Sequence, residues 1–300
     1  GLKAGFYLDY GCTSHNCGKC KCRVVSGDVY KIADHDYFLS TKEQEDGYIL
    51  ACCHTADSDL VIEANEAGVE EALPWQEIRA VVRKTWLEGQ DLALLHIQTP
   101  RSQTLRFKAG QQVELSTEDG NVADLYIASC PCDGRNLQFL VAREPGNPLS
   151  EQVFGHGLGK QTVMLKGPSG QFVLREESTS AVLFLAKAKG FAPIKSLLEQ
   201  AINIDHAEGL HLIQIDCFPP GSTLDNLCRT WNDSLDEFLY TTIDAETRIP
   251  DLLEQLASAV AGAPQVDIYI AGPADWLASL MKVGQSRGLE PENWYCQAVD

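Results

Sequence analysis

Hydrophobic and polar positions divide the chain into three stretches with different periods. Residues 21–30 alternate in the manner of a strand ending in Ser26-Gly27-Asp28, a turn signal. Residues 59–63 give a second short strand. The chain then becomes acidic and aperiodic over 65–74, which reads as a linker. From Trp75 the period returns to two, predicting strands over 78–87, 91–98, 112–116, 125–129, 137–142 and 162–166. Short strands separated by Gly, Pro and Asp turns predict a β-barrel or sandwich. The last stretch changes character. Apolar runs of strand length at 182–186, 210–217, 238–242 and 266–271 alternate with helical patterns at 193–204, 223–231, 249–261 and 274–286. Buried strands separated by amphipathic helices predict a doubly wound parallel sheet. No internal repeat or low-complexity segment is visible.

A chain of 300 residues with 44% hydrophobic content holds two or three domains. None of its apolar runs reaches the ~18–20 residues of a membrane span. The net charge of −18 argues against nucleic acid and against an anionic membrane surface as partners, since both select a basic face. Residues 1–73 hold 13 Asp and Glu against 6 Lys and Arg, a local balance of −7. Such a face either steers docking onto a basic partner or simply keeps the protein in solution.

The chemistry is announced by Cys12-x4-Cys17-x2-Cys20 and by Cys52 in the run Ile49-Leu50-Ala51-Cys52. This is the plant-type spacing of four thiolates around a [2Fe–2S] cluster, which carries one electron at a time. Gly11 and Gly18 let the loop wrap closely around inorganic sulfide. Other readings fit less well. A structural zinc site shows two C-x2-C pairs or a C-x2-C with a His pair, and only Cys17/Cys20 is such a pair. A Rieske centre needs two His ligands, and neither His15 nor His54 stands in the required step. A disulfide framework is at odds with 11 cysteines and no signal peptide, a pattern of the reducing cytoplasm. Cys22, Cys53, Cys130, Cys132, Cys217, Cys228 and Cys296 remain as small buried hydrophobes. Cys22 leaves the loop as a strand begins, and Cys53 points away from Cys52 if residues 50–54 are extended.

The order of cluster, barrel and α/β sheet resembles the NADH-dependent reductases of ring-hydroxylating dioxygenases and multicomponent monooxygenases, members of the ferredoxin–NADP reductase superfamily. The resemblance covers essentially the whole chain. It is carried by the cluster loop, by Cys20-Lys21-Cys22-Arg23-Val24 with Ser26-Gly27, and by Gly167-Pro168-Ser169-Gly170-Gln171-Phe172. Gly190-Phe191-Ala192-Pro193-Ile194 and Gly272-Pro273 complete it. It implies an α+β ferredoxin-like (β-grasp) [2Fe–2S] domain over 1–67, an all-β flavin-type barrel over 75–176, and an α/β nucleotide-binding-like domain over 178–300. In that family NADH gives a hydride to FAD, and FAD passes single electrons to the cluster. The cluster then reduces an oxygenase or hydroxylase component or its ferredoxin. The family's cluster module has some tens of residues before its first cysteine, and this chain has eleven, so the ferredoxin domain is expected to be incomplete at its start.

Two cofactor motifs depart from the family. Its flavin motif reads R-x-Y-S before an apolar-Ala-Ser step. Anchoring on Ile127-Ala128-Ser129 puts Ala123, Asp124, Leu125 and Tyr126 in those places, so the arginine is missing and the tyrosine displaced by one residue. The second flavin element, a G-x-x-S-like turn at the start of a helix, is retained as Gly146-Asn147-Pro148-Leu149-Ser150, and reads either as a phosphate cradle or as an ordinary turn and helix cap. The resemblance places FAD near Tyr126, Ser129, Gly146, Asn147 and Ser150. The nicotinamide loop of the family reads G-G-T-G-x-A-P and here reads Lys187-Ala188-Lys189-Gly190-Phe191-Ala192-Pro193. Side chains replace the bare backbone that a pyrophosphate approaches. The later C-G-P step reads Ala271-Gly272-Pro273, leaving Gly190, Pro193, Gly272 and Pro273 as nicotinamide contacts. Lys187 and Lys189 either bind a phosphate or carboxylate as point charges or lie in solvent.

Two readings follow. One is a working NADH–FAD–[2Fe–2S] reductase for an oxygenase, with weakened cofactor contacts. The other is a homologue that keeps the cluster, has lost flavin or NADH binding, and serves as an electron relay or partner-binding subunit. No side chain is assigned a catalytic role in either.

Overall fold

A computed structural model describes residues 18, 20–35, 37, 39–64, 73, 75–101, 103–155, 157–178, 180–206, 209–216, 218–259, 266–286 and 293–299. The expected cluster ligands Cys12 and Cys17, and the spare Cys217, lie outside the described residues. The chain forms two compact units: one holds the residues up to Leu73 with Pro131–Asp133, the other the remainder.

The first unit contains β1 (Lys21–Ser26), β2 (Val29–Lys31), α1 (Thr41–Glu45), β3 (Tyr48–Leu50), β4 (His54–Ala56) and β5 (Val61–Ala64). The strand read from residue 21 ends at Ser26, where the turn signal stands, and a second short strand begins at Val29. Gly27 takes φ +95°, and a Cβ there would stand 2.3 Å from the Asp59 carbonyl oxygen, so the chain turns sharply at a residue without one. β1 then lies between β3 and β5, while β2 pairs with β4 in a separate ribbon. The short helix α1 is held by a capping box. The Ser40 hydroxyl accepts from the Glu43 N–H, and the Glu43 carboxylate accepts from the Ser40 N–H at 2.8 Å.

In the second unit, β6 (Gln76–Leu87), β7 (Leu92–Gln98), β8 (Gln112–Thr117), β9 (Val122–Tyr126), β10 (Asn136–Ala142) and β11 (Thr162–Ser169) form one antiparallel sheet in the order β10-β7-β6-β11-β8-β9. Ile127 bridges to Phe139, and the Ala128 N–H donates to the Gln138 carbonyl at 2.7 Å, so the two edges meet and the sheet closes. This settles the barrel-or-sandwich alternative in favour of the barrel. Its interior is filled by the alternate positions that the period of two marks, among them Ile78, Val113, Leu115, Phe139 and Leu165. Helix α2 (Pro148–Gly155) covers it with Leu149 and Val153.

The strand expected over 125–129 lies earlier, at 122–126, where Val122 to Tyr126 pair with Ser116 to Gln112 of β8. That register decides which side chains face which way. Ala123 and Leu125 pack on the barrel core, while Tyr126 packs on the core shared with the α/β sheet. Asp124 is exposed.

The remaining strands are all parallel: β12 (Ala181–Lys187), β13 (Leu210–Ile215), β14 (Phe238–Ile243), β15 (Val266–Gly272) and β16 (Trp294–Ala298), in the order β14-β13-β12-β15-β16. Helices α3 (Phe191–Asn203) and α4 (Thr223–Ser234) bury Leu197, Ala201, Leu224 and Cys228 on one face. The other face takes Leu252, Leu256, Leu277 and Leu280 from α5 (Ile249–Ala259) and α6 (Ala274–Ser286). The doubly wound expectation therefore holds. The strand order reverses beside β12, and the crevice of such a sheet lies outside the carboxyl ends of the strands at that switch point. The loops leaving β12 and β15 stand there. Among the described residues, no helix is long and apolar enough to cross a membrane.

Candidate functional site

The sheet register of the first unit assembles the cluster site. Lys21 pairs with Leu50 across β1 and β3, and the Ala51 N–H donates to the Cys20 carbonyl at 3.0 Å. Cys20 and Cys52, 32 residues apart in sequence, are thereby brought to a sulfur–sulfur distance of 3.2 Å. Burial first, and then the neighbouring thiols of Cys20 and Cys53, push the Cys52 thiol up from its ordinary range. Gly18, before Cys20, has φ +71°, and a Cβ on it would enter the Tyr37 ring. Cys22 is buried on β1 opposite Ile49. Two of the four expected ligands, Cys20 and Cys52, thus come together beside Leu50, Ala51 and Tyr37. This donor set fits a [2Fe–2S] cluster, whose irons take thiolate sulfur.

Cys53 departs from expectation. Residues 51–53 form a tight 3-10 turn between β3 and β4 rather than an extended segment, with the His54 N–H on the Ala51 carbonyl. In this turn, unlike a strand, adjacent side chains do not point to opposite faces, and the Cys53 sulfur lies 3.6 Å from that of Cys52.

The hydrogen-bonding groups of the Gly146–Ser150 turn are engaged within the turn itself and with its flanking carboxylates. In the Gly146–Ser150 turn, the Gly146 N–H donates to the Glu151 carboxylate at 3.0 Å and the Ser150 N–H to the Asn147 side-chain oxygen at 3.1 Å. The Ser150 hydroxyl accepts from the Glu144 N–H at 2.8 Å. Gly146 keeps φ +82°, the conformation that calls for glycine. A pyrophosphate would therefore meet two carboxylates and donors already satisfied. On β9 the correction is larger. Ala123 is turned to the barrel core, so Asp124, two residues before Tyr126, is the side chain that shares the tyrosine's face. An acid stands where the flavin phosphate would need a base. Burial first, then the Asp124 charge, raises the Tyr126 hydroxyl. Ser129 is buried, its hydroxyl accepting from the Gln138 N–H at 3.2 Å. These residues do not fit a flavin pyrophosphate.

The nicotinamide loop carries side chains where the resemblance expects bare glycine backbone. Ala188 sits at φ +52°, a left-handed conformation that costs a residue with a Cβ about 1–2 kcal/mol. Lys189 is half-buried and its ammonium pairs with Glu144 at the edge of the flavin turn. Lys187 lies 5.6 Å from the Trp276 ring centroid. A Cβ on Gly272 would come within 2.9 Å of that ring and 3.1 Å of the Lys187 Cβ. Gly190 has a packing reason of its own, because a Cβ there would stand 2.1 Å from the Ala271 carbonyl oxygen. Pro193 is buried in the first turn of α3, and Pro273 follows β15 immediately. Lysine stems, an indole and an internal ion pair occupy the crevice mouth, and these residues do not fit a dinucleotide.

A buried charge network, unmarked by any motif, ties α3 to the barrel. Lys195 is 1% exposed; its ammonium donates to the Ala128 carbonyl and the Gln138 side-chain oxygen, both at 2.8 Å, and to Glu199 at 2.5 Å. Glu199 also accepts from the Cys130 N–H at 2.8 Å, and the Ser196 hydroxyl donates to the Ser129 carbonyl at 2.8 Å. The segment that follows the flavin-motif strand is thus fastened to the helix that follows the nicotinamide loop. The sequence signal was a Lys and a Glu four residues apart within a helical apolar pattern.

Residues 2–57 match the 2Fe-2S iron-sulfur cluster binding domain. The chain is 28% identical over 219 residues to the CDP-6-deoxy-L-threo-D-glycero-4-hexulose-3-dehydrase reductase of Yersinia pseudotuberculosis, covering 70% of this chain. It spans 63% of that relative's length. It is 25% identical over 300 residues to the toluate 1,2-dioxygenase electron transfer component of Pseudomonas putida, covering 98% of this chain and 89% of the relative. Among solved structures, the ferredoxin reductase in carbazole 1,9a-dioxygenase shares the fold with a TM-score of 0.62 at 20% identity, over 99% of this chain and 91% of that one. Residues 2–57 thus match the 2Fe-2S cluster binding domain, and the chain is similar along nearly its whole length to a protein named as a dioxygenase electron transfer component.

Proposed function

We propose that this chain is an electron-transfer component of an oxygenase system, acting through a [2Fe–2S] cluster held by Cys12, Cys17, Cys20 and Cys52. The observation that carries the reading is the 3.2 Å approach of Cys20 and Cys52 within a segment matching the cluster-binding family. Its relatives, named as reductase and electron transfer components, support the same class. The cluster supplies one-electron chemistry when bound. The chain's residues hold it in an apolar pocket, and the acidic surface around it suits a basic docking partner, an oxygenase or hydroxylase component or its ferredoxin. Purified protein with iron and acid-labile sulfide near two each per chain is the expected result; its absence would refute the proposal.

How electrons arrive divides two readings. The relatives support the route from NADH through FAD. The closure of the flavin turn and nicotinamide loop by Glu144 and Lys189 favours the second, in which the cluster takes single electrons from a protein donor and the barrel and α/β sheet serve as a scaffold. A visible spectrum with cofactor extraction separates them. Flavin bands that bleach on NADH addition support the reductase route, and a cluster envelope alone supports the relay.

A further inference from the structure

Cys53 is the thiol of the cluster segment that the four-ligand pattern leaves over, and its setting differs from that of an ordinary buried cysteine. It is 0% exposed and lies in a small core with Cys20 and Leu50, flanked by Ala33, Tyr37, Ala51 and Cys52. Its backbone is pinned. The Cys53 carbonyl accepts from the Ile32 N–H at 2.8 Å, and the 3-10 turn fixes its direction relative to Cys52. Among the described residues, the hydrogen-bond contact of its sulfur is to the Cys52 sulfur at 3.6 Å, within reach of an S–H···S bond. Either sulfur serves as donor while both are thiols. Once Cys52 binds iron it has no proton to give, and the contact then runs one way, from the Cys53 S–H to the Cys52 thiolate.

Hydrogen bonds to cluster sulfurs help set the reduction potential. The reduced cluster carries one more negative charge than the oxidised one, and a donor aimed at a ligand sulfur stabilises that charge. We propose that Cys53 is a positioning residue for the [2Fe–2S] site: its buried thiol donates to the Cys52 thiolate and raises the reduction potential of the cluster. The proposal rests on the reading of Cys52 as a ligand. No bond to Cys53 forms or breaks, and its proton stays on sulfur while the cluster gains or loses one electron.

The test uses the full chain carrying its cluster, as parent, Cys53→Ser and Cys53→Ala, with the midpoint potential read by spectroelectrochemical titration. All three are expected to retain iron and sulfide in equal amounts. Cys53→Ala, without a donor, is expected to lower the reduction equilibrium constant roughly two- to tenfold, the range for losing one modest hydrogen bond; tenfold is 59 mV for one electron. Cys53→Ser keeps an O–H donor and is expected to stay nearer the parent. Resonance Raman supplies a reading that packing alone would not move: transfer to heavy water shifts the Fe–S(Cys) bands in parent and Cys53→Ser, and less in Cys53→Ala. Equal potentials and equal isotope shifts in parent and Cys53→Ala would overturn the proposal. Loss of iron from both variants would also overturn it, by making Cys53 a ligand or a fold-critical residue. A parent without a cluster would refute the underlying reading as well, and is told apart by iron analysis before any titration.

Discussion

Lys189, on the loop after β12, forms an ion pair with Glu144, beside the turn that opens α2. The two elements that would receive nicotinamide and flavin phosphates are thereby joined to each other. With Ala188 carrying a Cβ between two lysine stems, NADH and NADPH are expected to bind weakly or not at all. Stopped-flow mixing with either nucleotide should show no cluster reduction on the ordinary turnover scale of about 1–1000 per second. Reduction at such rates would restore the NADH route.

The flavin site gives a prediction with a direction. Asp124, on the face of Tyr126, and Glu144 together place negative charge where phosphate would lie. Asp124→Arg combined with Glu144→Gln is expected to tighten FAD binding by roughly ten- to a hundredfold, since a charge-assisted hydrogen bond contributes about 1.5–3 kcal/mol. Ala123→Arg, by contrast, pushes a charge against the barrel core and should lower stability without any gain in affinity. Equal FAD affinity in the parent and the double variant would mean that phosphate does not sit against β9.

The two adjacent cysteines should separate cleanly. Cys52→Ser is expected to lose most of the cluster absorbance and of the bound iron and sulfide. Cys53→Ser is expected to keep them. The reverse outcome, in iron analysis of both proteins, would exchange their roles.

Gly190→Ala tests why that glycine is present. Its new Cβ would stand 2.1 Å from the Ala271 carbonyl oxygen and 2.6 Å from the Gly272 nitrogen. The contact between the turn after β12 and the end of β15 must therefore spread, at a cost of about 3 kcal/mol, the upper end of ordinary overpacking. Urea unfolding that shows no loss would mean the loop moves freely and the glycine has no packing role.

Acid should loosen the first unit through Glu43. The hydrogen bond from Lys21 at 2.7 Å, with further bonds from Ser40, lowers the Glu43 carboxyl to about 2. A carboxyl lowered on folding contributes stability above its unfolded pKa, near 4.3. That contribution disappears as the pH falls from there through about 2. Glu43→Gln should flatten this part of the acid titration, followed by circular dichroism, and an unchanged profile would place the acid sensitivity elsewhere.

Local pattern alone determined much of this protein. The Cys12-x4-Cys17-x2-Cys20 spacing with Cys52 named the metal chemistry, and the change of period from two to alternating strands and helices named an all-β region, barrel or sandwich, followed by a parallel sheet. Those signals are legible because burial repeats at the spacing of each backbone geometry. Tertiary structure decided what depends on pairing between distant residues. The β1–β3 register brings Cys20 to Cys52, and the 3-10 turn, absent from any period, turns Cys53 toward Cys52. The β8–β9 register sends Ala123 inward and leaves Asp124 on the face of Tyr126, because a one-residue slip reverses every side chain on a strand. The partner of Lys189 is 45 residues away and that of Lys195 on the barrel up to 67, with no periodicity linking them. Sequence could show that the cofactor loops had changed; only the folded chain shows the side chains that now fill them.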